Sequence, residues 1–410
     1  AICLELQGVP CLATLPVRLM TVKIVFCTGA ILFFVLVWRH FTKRDRMQDW
    51  LHGLPGPLKW LLQWYSVMFV GLTLLMGETM YTIIRYTYIG SYMLDPAHFE
   101  NGASGIHKGI RYISLAGPMV GTLAFLFIIG HVIKSVKASA RWREKKGHNK
   151  FFVNRREDMV LLVIAMPAVS TIMAVRSVSR MWMVMRGADT LENGGAQMDE
   201  SLYLENLEFS NVAQFYVVFE FTQLCMTFLA EAANAEYQWA MRFAGFQGVY
   251  FWVGCGAIRS IFDFVVAFLR AHPSFSAVVG IPLQAVLDLQ ILVLEKISTV
   301  FSVLTLICVY NMFVICKLSY IKDALGNASL KFMGMRLLLI ISVIQPKVLS
   351  KLAEYQFHDL TEDNARILHA SLLSIECLVV VCFNFYAWEI DIDKDKIWSN
   401  SNLLEGLTKA

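Results

Sequence analysis

The chain has 410 residues, of which 57% are hydrophobic and 17% are charged, and its mean hydropathy is +0.54. This composition leaves too little polar surface for a soluble globular protein of that length, so a polytopic membrane protein is predicted. The net charge of +4 is small, and the basic residues follow membrane topology, which does not favour nucleic-acid binding. Nine cysteines are scattered without CxxC or Cys/His spacing, so no metal site and no cofactor is predicted.

Apolar runs of about 20 residues are long enough to cross a hydrocarbon core roughly 30 Å thick as helices. Taken in chain order they predict nine spans in an all-α protein. The seventh run is long, and Pro282 divides it into a lead-in and a span. The predicted spans are 24–38, 60–85, 113–133, 158–181, 209–230, 246–269, 278–316, 331–352 and 368–388.

Charged segments between these runs alternate in sign. Basic segments follow the first, third and seventh spans, and acidic loops follow the fourth and eighth. Because Lys and Arg concentrate in cytoplasmic loops, the N-terminus is predicted outside and the C-terminus in the cytoplasm; the organelle is not indicated. The strongest basic segment runs from Lys134 to Arg156. It is either a solvated loop or a surface for anionic lipid headgroups, with candidates Lys134, Lys137, Arg141, Arg143, Lys145 and Lys146.

Ionisable and amide side chains inside the spans are the candidates for function. A charge in hydrocarbon costs at least about 2.5 kcal/mol, so such residues pair, contact water or lie near the interface. One reading is internal pairing, such as Arg259 with Asp263 at i,i+4, with Arg176 and Lys347 reaching the interface. The other is a polar path for an amphipathic solute, lined by Glu220, Asp288, Glu295, Arg336, Gln345, Glu376 and Asn384.

The last two spans also carry a family pattern. The pair Lys331-Phe332 is followed by Arg336, Ser342 and Gln345, and later by Ile375-Glu376 and Tyr386-Ala387. In this spacing the chain resembles the organic solute transporter alpha-subunit family, which includes the transmembrane protein 184 group. The resemblance implies a seven-helix bundle over residues 113–388, an N-terminal extension with two further membrane helices over 1–112, and a cytoplasmic tail over 389–410. It also implies amphipathic, steroid-like or anionic solutes and a single-span partner subunit.

Several positions depart from that family's pattern. Asn384 stands where the family usually has a histidine, and Gln214 and Thr227 stand at positions that are usually acidic. Glu220 is a nearby carboxyl that could take the place of the acidic residue that is missing at Gln214. Residues 231–245 lack the cysteine-rich run of the transporter branch.

Two functions follow from these patterns. The first is facilitated transport of amphipathic organic solutes through the helix bundle. The second, motivated by the two extra spans and the departures, is a non-catalytic accessory or structural subunit of a larger membrane complex. No nucleophile elbow, phosphate loop or HExxH motif is present, so an enzyme is not predicted. A seven-helix receptor is disfavoured, because the sequence motifs of familiar receptors are missing.

Overall fold

The computed structural model describes most of the predicted membrane-spanning part of the chain. The described residues are 35, 37–39, 55–84, 108–145, 155–187, 195–231, 247–271, 284–289, 292, 307, 310–355 and 360–388. Nearly all of them are helical, and none of them belongs to a strand. The prediction of an all-α fold is therefore confirmed over these residues.

Ten helices are numbered here in chain order. They are α1 Gly56–Leu61, α2 Trp64–Ile83, α3 Lys108–Lys145, α4 Arg155–Ala165, α5 Pro167–Gly187, α6 Gly195–Glu231, α7 Gln247–Ala271, α8 Ser319–Leu325, α9 Ala328–Glu354 and α10 Glu362–Ala387. The chain divides into two compact units, Ala1–Glu78 and Thr79–Ala410. All of the helix packing discussed below lies within the second unit.

Seven membrane-capable helical segments are found among the described residues. They are α2, α3, the combined α4 and α5, α6, α7, α9 and α10. An integral multi-pass membrane protein is therefore confirmed. The remaining two predicted spans, 24–38 and 278–316, lie mainly outside the described residues, so the total of nine stays a prediction.

Helix α5 occupies the centre of the second unit, where it packs against α3, α6 and α10. Its core positions include small side chains such as Ala168, Ser170 and Ala174, which are buried. Small residues let neighbouring helices approach closely where no hydrophobic force from water drives them together. Accordingly, the most apolar part of the membrane-capable stretch Arg156–Trp182 is completely buried.

Glycines on α3 also permit close helix approach. A methyl group at Gly117 would lie 3.3 Å from the Cα of Ser371 on α10, and one at Gly121 would collide with Val175 on α5. The glycine pair therefore allows α3 to pack against both helices.

Side-chain contacts fix the direction of each helix. Gln345 contacts Glu376, and Lys331 contacts Trp388, so α9 and α10 are antiparallel. Helix α6 is antiparallel to α9, because Asn211 meets Ser342 and Phe221 meets Phe332.

The same method orients α7 and α3. Phe209 meets Phe264 and Phe219 meets Tyr250, so α6 is also antiparallel to α7. Helix α3 runs parallel to α10, because Gly117 lies beside Ser371 and, further along both helices, His131 lies beside Phe385.

One predicted boundary was wrong. The fifth span was predicted from residue 209, after an exposed acidic loop, but α6 begins at Gly195. Leu, Met, Gln and Glu have high helix propensity, and they are frequent between Gln197 and Glu208. The acidic segment therefore continues the membrane helix beyond the hydrocarbon instead of forming a loop throughout.

Candidate functional site

A row of polar contacts links the first turn of α5 to the middle of α6, α9 and α10. Nε2 of Gln345 donates to Oε1 of Glu376 at 2.9 Å, and Oγ of Ser342 donates to Oδ1 of Asn211 at 2.9 Å. The amide of Gln214 donates to Oγ of Ser170, one turn further along α6. We call this set the polar belt: Ser170, Asn211, Gln214, Ser342, Gln345 and Glu376.

The sequence places the α9 members of the belt on one face. Ser342 and Gln345 are three residues apart, which brings both side chains to the same side of a helix. Pro346 follows directly and lies inside the helix. Because proline has no N–H, the carbonyl of Ser342 has no helical main-chain donor four residues on. The belt therefore coincides with a gap in the α9 hydrogen-bond ladder.

Glu376 is the belt residue with unused hydrogen-bonding capacity. It is only half-buried, and its Oε2 accepts no hydrogen bond from any described residue. Buried polar atoms are nearly always hydrogen-bonded to protein or water. This carboxylate oxygen is enclosed and lacks a donor among the described residues, so a water molecule or the hydroxyl or amide group of a solute that reached it could donate to it.

Buried cations stacked on aromatic rings lie closer to the N-terminal end of α9. The guanidinium of Arg336 lies 4.5 Å from the ring centroid of Trp252 and 5.6 Å from that of Phe332. The ammonium of Lys331 lies 4.7 Å from the ring of Trp388. Such cation–π contacts stabilise a buried charge by up to about 2 kcal/mol when desolvated.

Phe221 of α6 joins the two stacks. Its ring centroid lies 6.1 Å from that of Phe332 and 6.2 Å from that of Trp388. We call Phe221, Trp252, Lys331, Phe332, Arg336 and Trp388 the cation–aromatic cluster. Because Lys331 and Arg336 are almost completely buried, the cluster fills the space between α6, α7, α9 and α10 at this end.

The remaining path candidates that the structure describes do not join the belt. Glu220 is buried and accepts a hydrogen bond from the hydroxyl of Tyr216 at 2.7 Å. Asp288 is exposed and accepts from Gln284 at 2.9 Å. Asn384 is buried where α10 crosses α9 at Gly334, and its Oδ1 accepts no hydrogen bond from the described residues. Glu295 lies outside the described residues.

The basic candidates separate into exposed and buried residues. Lys134, Lys137 and Arg141 are exposed on α3. Arg143 is buried, where it donates to Glu157 of α4 and to Ser139, so it is withdrawn from any lipid surface. Lys145 is the last residue of α3, but its side chain is not among those described. Lys146 is not among the described residues.

Two pairing expectations can be compared with the structure. Arg259 and Asp263 form the predicted ion pair, with Nε and Oδ2 3.7 Å apart. Arg176 was expected to reach the membrane interface, but it is buried inside the unit. Its position on the central helix α5 explains the difference, since α5 is surrounded by other helices.

Several buried polar residues were missed from the sequence. The hydroxyl of Tyr203 lies 2.6 Å from Nδ1 of His369, which joins α6 to α10. Glu205 is fully buried, and neither of its carboxylate oxygens accepts a hydrogen bond from a described residue. The charges of Arg176 and Arg180 are close enough to act on that carboxylate. These residues of α6 were missed because their segment was assigned to an exposed loop.

No group of three His, Cys, Asp or Glu side chains that could hold a metal ion occurs among the described residues. The belt and the cluster consist instead of amides, hydroxyls, one half-buried carboxyl and cations stacked on rings.

Comparisons with known proteins give no match. This holds for protein-family models, for curated proteins and for solved structures alike. The function therefore has to be argued from the described residues themselves.

Chemically, the belt and the cluster can make two kinds of contact. Amides and hydroxyls with a half-buried carboxyl can exchange hydrogen bonds with a polar solute. The aromatic faces of the cluster are occupied by its own cations and rings, and a solute's apolar ring system would have to separate them to enter.

Proposed function

We propose that this chain is a non-catalytic membrane transport protein, and that amphipathic organic solutes move through its helix bundle along the polar belt. Neither catalysis nor a cofactor is part of the proposal. The cytoplasmic position of the C-terminus and a single-span partner subunit remain parts of it. The observation that carries the proposal is Glu376, a half-buried carboxyl beside Gln345 and Pro346 with one oxygen that accepts no hydrogen bond from a described residue.

Polar side chains without a partner inside a membrane helix are costly, and they commonly mark the pathway of a substrate or an ion. Here the polar groups come from four helices, and their contacts follow one another over about two helical turns. The cation–aromatic cluster lies next along the same helices. A solute with an apolar ring system and a polar group would meet hydrogen-bonding groups at the belt and, if the packed rings of the cluster separated, aromatic faces beside cations.

The test is flux into vesicles containing the purified chain, measured for a steroid alcohol and for its sulfate ester. If Glu376 lines the path, its negative charge disfavours the sulfate. Glu376→Gln keeps an acceptor for Gln345 and removes the charge. We expect the sulfate-to-alcohol flux ratio to rise about tenfold, since a charge at close range with an effective dielectric constant near 20 contributes more than about 1.4 kcal/mol.

The matched control is Glu354→Gln, the same change at an exposed position of α9, where Glu354 pairs with Lys351 at 2.6 Å. The control should leave the flux ratio unchanged. Equal sulfate-to-alcohol flux ratios in the two variants would show that Glu376 does not line the path. No flux of either probe in the unmodified chain would refute transport by the chain alone.

The cation–aromatic cluster favours a second candidate function, that of an accessory or structural subunit in a larger membrane complex. Stacked rings and buried cations occupy the interior between α6, α7, α9 and α10, as in a packed core. A subunit that serves only as packing surface needs no open path.

Native mass spectrometry after mild-detergent extraction separates the two functions. A free transporter is expected alone or with one small single-span protein. Recovery exclusively within a large multi-subunit assembly would support the accessory role and contradict the free transporter.

A further inference from the structure

Helix α3 presents one continuous exposed face along its whole length. It has 38 residues and is about 57 Å long, well beyond the thickness of a hydrocarbon core. Its exposed positions recur every three or four residues, and the opposite face packs against α4, α5 and α10. The exposed positions are Gly109, Tyr112, Ala116, Met119, Leu123, Leu126, Phe127, Gly130, Ile133, Lys134, Lys137, Arg141 and Glu144.

This face changes its chemistry at one point. From Tyr112 to Ile133 it is apolar, and these 21 steps span about 32 Å, which equals the hydrocarbon thickness of a typical bilayer. Tyr112 has an exposed fraction of 71% at one end, where an aromatic residue suits the interface. From Lys134 onward the same face carries cations. In a bilayer of that thickness, the change from Ile133 to Lys134 would fall where the acyl chains end.

We propose that the cationic continuation of this face, formed by Lys134, Lys137 and Arg141, binds the headgroups of anionic phospholipids in the adjoining leaflet. The three side chains cover seven steps, about 10 Å along the helix axis, which is comparable to the depth of a headgroup layer. The ligand is a lipid because the same face is apolar just before Lys134. One lipid molecule can therefore contact the apolar part of α3 with its acyl chain and the cationic part with its headgroup.

Lys134 is held in position by its surroundings. Its ammonium lies 4.7 Å from the ring centroid of Phe385 on α10, and that ring also lies 4.8 Å from the ring of His131. Tyr386, the next residue, is exposed at the same end of α10. A cation over an aromatic ring at the interface keeps its remaining donors available for a phosphate or carboxylate.

The neighbouring charges define the limits of the site. Arg143 is turned into the interior by Glu157 and does not contribute. Glu144 ends the exposed face with a negative charge. Among the described residues of this face, three cations and one carboxylate leave a net positive charge, so charge complementarity selects anionic over zwitterionic headgroups. The site is independent of whether the bundle transports a solute.

The experiment uses the full chain in phosphatidylcholine vesicles with traces of photoactivatable phosphatidylserine or phosphatidylcholine of the same acyl composition. Crosslinked peptides are identified by mass spectrometry. We expect phosphatidylserine to be enriched on the peptide containing Lys134 to Lys145, and high salt to reduce the enrichment. Lys134→Gln/Lys137→Gln should reduce the enrichment by up to about thirtyfold, taking each lysine near the surface as a factor of about five.

The matched control is Lys347→Gln/Lys351→Gln, which removes two exposed lysines from the C-terminal part of α9. It should leave the enrichment on the α3 peptide unchanged, and both variants should keep the thermal unfolding midpoint of the parent. Equal crosslinking by the two lipids in the parent, or equal loss in both variants, would overturn the proposal.

Discussion

Gly334 shows how closely α9 and α10 approach. An added methyl group at this position would collide with Oδ1 of Asn384 and with the ring of Phe383. Both neighbours belong to α10, which is held to α9 further along by Gln345 and Glu376. The missing side chain is therefore what allows these two helices to pack at this distance.

We expect Gly334→Ala to lower the stability of the folded protein by about 1 to 3 kcal/mol, because overpacking forces the neighbouring side chains to move. The thermal unfolding midpoint in detergent measures this. Gly130→Ala is the control, since nothing lies within 4 Å of a methyl group there, and alanine is the better helix former. A midpoint for Gly334→Ala at or above that of Gly130→Ala would contradict the close packing.

At the level of single residues, the sequence predicts local pairs better than distant ones. The ion pair of Arg259 and Asp263 follows from their i,i+4 spacing and is present. The burial of Arg143 against Glu157 and of Arg176 within α5 could not be inferred, because it depends on which helices become neighbours. Helical spacing specifies a face, whereas the partner of that face is set by tertiary packing.

At the level of helices, the length of the apolar runs predicts α3, α5, α7, α9 and α10, because a helix that crosses the hydrocarbon core needs an apolar run of that length. It fails for the first turns of α6, where Tyr203 and Glu205 are buried in a segment whose composition resembles an exposed loop. Burial of a polar helix end depends on the neighbouring helices and leaves no hydropathy signal. The path candidates on α9 and α10 were predicted because ionisable and amide side chains interrupt their long apolar runs.

The directions of α7 and α9 lead to a topological prediction. Both are antiparallel to α6, so they run parallel to each other although they are consecutive among the described membrane helices. The C-terminal end of α7 and the N-terminal end of α9 therefore lie on opposite sides of the membrane. The predicted span within 278–316, most of which lies outside the described residues, is what such a connection requires.

Single cysteines in a cysteine-free background test this arrangement. Ala271→Cys, at the end of α7, and Asn327→Cys, just before α9, should react with a membrane-impermeant maleimide from opposite sides of sealed vesicles. Glu354→Cys, at the end of α9, should share the side of Ala271→Cys. Labelling of Ala271→Cys and Asn327→Cys from the same side would exclude a crossing between them.

At the level of the whole molecule, composition alone identified an integral membrane protein, since the apolar content leaves no other environment for so many long apolar runs. The polar belt joins four helices whose members are spread over some 200 positions of sequence, from Ser170 to Glu376. No periodicity connects such distant residues. Only the folded arrangement brings the hydroxyls, amides and carboxyl together.

The proline of α9 has a mechanical consequence. Elsewhere in a helix, a tilt of one half relative to the other stretches main-chain hydrogen bonds, but at Ser342 the bond to residue 346 is already missing. The last two turns of α9 can consequently pivot at low elastic cost. Such a pivot would carry Gln345 away from Glu376 and widen the bundle on that side while the glycine contact at Gly334 keeps the other half in place.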